Sequence, residues 1–69
     1  MPDHIYKILE LTGSSTVSSD DAIRAAIGKA AKTVHGMHWF EVVETRGHIE
    51  DGAVKHWQVS IKVGFVLDE

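Results

Sequence analysis

The sequence predicts an α+β fold with the element order β-α-β-β. Three observations predict it. An N-terminal stretch alternates in polarity, an Ala-rich apolar stripe recurs at helical spacing, and two long β-like runs flank Asp51-Gly52. The chain has 69 residues, which points to one domain spanning residues 1–69, near the lower size limit for folding alone.

The first element is a strand over residues 4–12, HIYKILELT. Ile5, Lys7, Leu9 and Leu11 alternate with Tyr6, Ile8 and Glu10, giving one apolar flank and a second that is only partly polar. Gly13-Ser14-Ser15 breaks the pattern. A helix follows. Ser18 or Ser19 offers an N-cap oxygen, and Asp20 and Asp21 place negative charge on the first turn. Ile23, Ala26, Ile27, Ala30 and Val34 form one apolar stripe, and His35-Gly36 supplies the stop. The small stripe residues let another element approach closely.

The last two elements, residues 39–47 and 53–67, form a hairpin. Asp51-Gly52 suits the positive φ values of a tight turn. With those two as the central turn residues, Arg46 faces Trp57, Thr45 faces Gln58, Val42 faces Ile61, Phe40 faces Val63 and Trp39 faces Gly64. One face then collects Phe40, Val42, Trp57, Val59, Ile61, Val63, Phe65 and Leu67, and the helix stripe is its natural cover. The other collects Trp39, Glu41, Val43, Thr45, Gln58, Ser60, Lys62 and Gly64. Strict alternation also puts Glu44 and Arg46 on the apolar side, so they either lie beyond the helix or are turned outward by a bulge.

Composition narrows the function. There is no Cys, which excludes a disulfide scaffold and a thiolate metal site and fits a reducing, cytoplasmic setting. A formal net charge of −3 with scattered basic residues gives no electrostatic footprint for nucleic acid or an anionic membrane. No apolar run approaches a membrane span, and the N-terminus has no secretory pattern. A core this small needs a staple, and with disulfides excluded, self-association is the natural solution.

Trp39 is the informative residue, because it falls on the face the helix does not cover. Leaving an indole in water forgoes about 1.5–3 kcal/mol of burial. Either a subunit interface covers it, or it is a platform for a planar ring, with Gln58 on the same face able to pair with a heterocycle's edge. His35 and His38 have metal-ligand spacing only on a continuous helix, which Gly36 interrupts, so no metal site is expected. His4, His48 and His56 read as surface or strand-pair residues. No nucleophilic triad, carboxylate pair or phosphate loop is visible, so no enzymatic activity is expected.

The ordered set Trp39-Phe40-Glu41-Val42, Arg46-Gly47, Asp51-Gly52-Ala53-Val54, Gln58-Val59 and Lys62-Val63-Gly64-Phe65 resembles the dodecins. Glu10-Leu11-Thr12-Gly13-Ser14-Ser15 and the Ala-rich helix extend the likeness over essentially the whole chain. The resemblance implies a three-stranded antiparallel sheet partly wrapped around one helix, with twelve copies forming a hollow shell, a homododecamer. It also implies flavin storage and sequestration, with flavin pairs stacked between tryptophans of two subunits. The family tryptophan falls on Trp39, the glutamine that meets the flavin edge on Gln58, and a bacterial arginine on Arg46. FMN is the implied ligand, with riboflavin or FAD as further possibilities and coenzyme A bound by some members. Two positions depart from bacterial members. His38 stands where many have an acidic residue, and Val66 where arginine is common, which removes a cation that could hold phosphate or coenzyme A. The readings to be separated are flavin binding with quenching of its photochemistry, an assembly-only protein with Trp39 as interface core, a coenzyme A-binding shell, and a small flavin enzyme.

Overall fold

A computed structural model describes residues 3–67. Strand β1 is Tyr6–Ser15, helix α1 is Ser19–Ala30, β2 is Met37–Glu50 and β3 is Ala53–Val66. The strands form one antiparallel sheet in the order β1-β3-β2, so the last strand is central. The sequence-predicted order and fold class therefore hold, with a long hairpin that helps stretch the subunit to 54 × 21 × 14 Å.

The β1–α1 junction is built from short polar side chains. Ser18 is the N-cap, and its Oγ accepts from the Asp21 backbone N–H at 3.0 Å. Ser15 donates to Asp21 Oδ2 at 2.7 Å and accepts from the Val17 N–H at 2.9 Å. Gly13-Ser14-Ser15, expected to break the strand, instead continues its pairing with β3. A glycine is needed there. A Cβ on Gly13 would overlap the Ala22 carbonyl oxygen and press on Ala26 Cβ at 3.0 Å.

That close approach sets the core. Ala22, Val59, Ile61 and Val63 are buried, and Leu9, Leu11, Ile23, Ala26, Ile27 and Met37 pack against them. The helix ends at Ala30, not at Val34. A tighter turn follows, in which the Lys32 and Thr33 N–H groups bond to the Lys29 and Ala30 carbonyls. The β-branched pair Thr33-Val34 has little helical preference. Gly36 does take positive φ, at 76°, but its carbonyl accepts from Val66 N–H, so it opens the hairpin instead of capping the helix.

The turn itself matches expectation: Asp51 and Gly52 have φ of 53° and 76°. The register does not match throughout. Glu50 pairs with Ala53 and Ile49 with Val54, but His48 then pairs with His56, leaving Lys55 extra on β3. Val43 is extra on β2 and restores the offset, so Val42 faces Ile61, Phe40 faces Val63 and Trp39 faces Gly64 as expected. Between the two irregularities the expected partners are wrong by one. Arg46 faces Gln58, not Trp57, and Thr45 faces Val59, not Gln58. The expected apolar face is also only partly covered. The helix lies over β1 and β3, leaving Phe40 47% and Val42 44% exposed on β2.

Candidate functional site

The face of the sheet opposite the helix carries all three residues singled out from the sequence. Val59, Ile61 and Val63 turn into the core, so the alternating residues Gln58, Ser60, Lys62 and Gly64 turn away from it. The Val43 bulge switches β2 from Val42 on the core side to Glu44 and Arg46 on the outer side. Of the two explanations open for Glu44 and Arg46, the bulge is the one realised.

Arg46 organises a polar group across the strands. Its guanidinium donates to Gln58 Oε1 at 2.8 Å, to Glu44 Oε1 at 2.6 Å and to Ser60 Oγ at 3.2 Å. Ser60 is buried, and its hydroxyl meets Thr12 Oγ1 of β1 at 2.9 Å. The contact to Oε1 fixes the carboxamide's orientation. Arg46 takes the oxygen, and the amide nitrogen is the end left to donate to a ligand. Both members of the Arg46–Glu44 pair are largely exposed, so the pair orients side chains more than it stabilises the fold.

Trp39 stands on the same face but far from this group. Its indole lies directly over Gly64, where a Cβ would overlap Cε2 and Cζ2. Tyr6 packs against it edge-to-face, with ring centroids 6.0 Å apart at 62°. Trp39 is 38% exposed. It is not part of the core under the subunit's own helix. Gly64 and Gln58 are six positions apart on β3, about 20 Å at the rise of a strand. Arg46 and Gln58 are therefore brought together, whereas Trp39 is held apart from both within one chain.

Alternation placed Ser60 on this face but not its bonds to Arg46 and Thr12, and sequence reasoning did not find Thr12 or Tyr6 as parts of the face. Ser60 and Thr12 carry no signal beyond alternation. Tyr6 was legible only as a member of the partly polar flank of β1. Among the described residues no group of three or more His, Asp or Glu is placed to hold a metal ion, and no helix is long and apolar enough to cross a membrane. A hollow of about 640 Å³ lies elsewhere, between β1 and the helix, with Leu9, Leu11, Ala26 and Ala30 in its wall.

The comparisons agree with this geometry. The family model described as Dodecin matches residues 5–68. The chain belongs to the dodecin family. It is 46% identical over 65 residues to the dodecin of Thermus thermophilus, covering 94% of each chain. The solved dodecin of Streptomyces davaonensis superposes with a TM-score of 0.92 at 48% identity, covering 99% of this chain and 100% of that one. Dodecin from Streptomyces coelicolor gives 0.93 at 46% identity, covering 100% and 99%. The β-α-β-β subunit with its three-stranded antiparallel sheet is thus the dodecin fold.

Proposed function

We propose that this dodecin binds flavin for storage and sequestration in the cytoplasm, with Trp39 as the stacking platform and no catalytic turnover. The observation that carries the reading is the indole seated on Gly64, outside its own subunit's core, with one flat face floored by backbone. Such a surface suits an isoalloxazine, which is flat, apolar on its faces and polar along one edge. The donor end of Gln58, set by Arg46, suits a ring carbonyl.

The separation of Trp39 from Gln58 adds a condition. A single ring cannot meet both from one chain, so the complete site takes Trp39 from one copy and Gln58 from another. This agrees with a shell of twelve copies in which a pair of flavins lies between two indoles. When bound, flavin supplies visible absorption and a strongly oxidising excited state. Trp39 would hold the ring against an electron-rich indole, which could reduce the excited ring and be restored by it, so emission would be quenched with no net chemistry. FMN is the preferred ligand and riboflavin or FAD are alternatives. Val66 offers no cation to the FMN phosphate or to coenzyme A, so FMN is held through its ring and coenzyme A is the weaker candidate.

One experiment separates the readings. Purified protein is examined by native mass measurement and visible absorption, then titrated with FMN and riboflavin while emission is followed. The expected outcome is a dodecameric mass, saturable binding and nearly dark bound flavin. Trp39→Ala should lower affinity by at least about a hundredfold, the loss of a stacking anchor. An assembled, colourless protein that leaves flavin bright would favour the assembly-only reading, and turnover of a reduced nicotinamide donor would favour an enzyme.

A further inference from the structure

We propose that Tyr6 is a positioning residue for the Trp39 indole, fixing the heading of the platform before any ligand arrives; the binding consequence rests on the flavin reading above. Gly64 floors one face of the indole, but a floor alone does not stop a ring from turning about its broad terminal torsion. Tyr6 supplies the missing constraint. It comes from β1, opposite Val66 and diagonal to Gly64, and its ring meets the indole edge-on at 6.0 Å and 62°.

Tyr6 is itself held in place. His38, the residue left over where the β2 register shifts between Met37 and Trp39, stands edge-on to it at 5.8 Å and 61°. His4 closes the group, 6.2 Å from Tyr6 and 6.1 Å from His38. Each of these pairs has the edge-to-face geometry aromatic rings prefer. The four rings form one cluster whose last member is the platform. A side chain already held in its bound orientation loses less freedom when a ligand stacks on it. Tyr6 therefore acts on the ligand only through Trp39.

The test uses the whole protein with Trp57→Phe as background, so that Trp39 is the single indole. Ligand-free near-ultraviolet circular dichroism and indole anisotropy report its order, and riboflavin titration reports binding. Tyr6→Leu should flatten the dichroic band, lower the anisotropy and weaken riboflavin about fivefold, on the scale of one aromatic pair. Tyr6→Phe should restore all three, because the contact is made by the ring. Should Tyr6→Leu fail to assemble, the double variant His4→Ala, His38→Ala removes the brace and should move the same readouts in the same direction. An unchanged band and affinity in the assembled variant overturns the proposal. Should no variant bind riboflavin at all, the flavin reading falls, and the ligand-free band alone decides the role of Tyr6.

Discussion

Two glycines face comparable overlaps, yet they predict different outcomes, because what lies over each is different. Above Gly64 stands a partly exposed side chain and not backbone, so the indole can give way by tilting against its Tyr6 contact. Gly64→Ala should therefore leave the thermal midpoint within a few degrees, a change under about 1 kcal/mol. It should nonetheless weaken flavin binding by about tenfold or more, because it tilts the platform. A titration alongside a melting curve checks both halves. Gln58→Ala should weaken binding by about tenfold, the worth of one partly desolvated hydrogen bond, with the native mass unchanged. At this scale the sequence was informative. An indole opposite a glycine, with a carboxamide on the same face, follows from alternation and one turn. The Arg46–Gln58 contact did not follow, because it depends on a bulge that no residue type announces.

Among the elements, the helix is fixed more by its approach to β1 than by its stripe. Above Gly13 lies the Ala22 carbonyl, part of a helix backbone that cannot swing aside. Gly13→Ala should thus cost about 1–3 kcal/mol and lower the melting midpoint by several degrees or more, while the contacts of Trp39 and Gln58 stay intact. Calorimetry on the assembled protein checks this. The Ala-rich stripe correctly signalled close packing, yet its buried centre is Ala22, which the stripe omitted. Val34 fitted the helical spacing but lies beyond the helix, since periodicity does not register the weak helical preference of Thr33 and Val34. In the hairpin, the extra residue in each strand cancels the other's offset. The turn and the stretch from Val42 to Trp39 therefore obeyed the simple register while the middle did not, and beyond Trp39 the extra His38 shifts it again, so that Met37 pairs with Phe65.

For the whole molecule, the decisive feature is how little the subunit covers of its own apolar surface. The helix shields β1 and β3, while Phe40, Val42, Val43, Ile49 and Val54 remain exposed. Both outer strands also present unpaired edges. Covering this surface is the work proposed for neighbouring copies. Phe40→Glu should shift the native mass to small species by burying a charge in the contact. The same variant should lose flavin binding although it leaves Trp39, Gln58 and Arg46 untouched. The sequence implied this shortfall through size alone, but could not say which strand would be bare, because that depends on where the helix lands.

The span of about 20 Å along β3 from Gly64, beneath the indole, to Gln58 has a genetic consequence. On the two-copy reading, a Trp39→Ala chain and a Gln58→Ala chain are each crippled, yet each carries the half the other lacks. Co-expressed in one cell, they would complement in mixed shells, recovering a share of the pigment that neither allele holds alone.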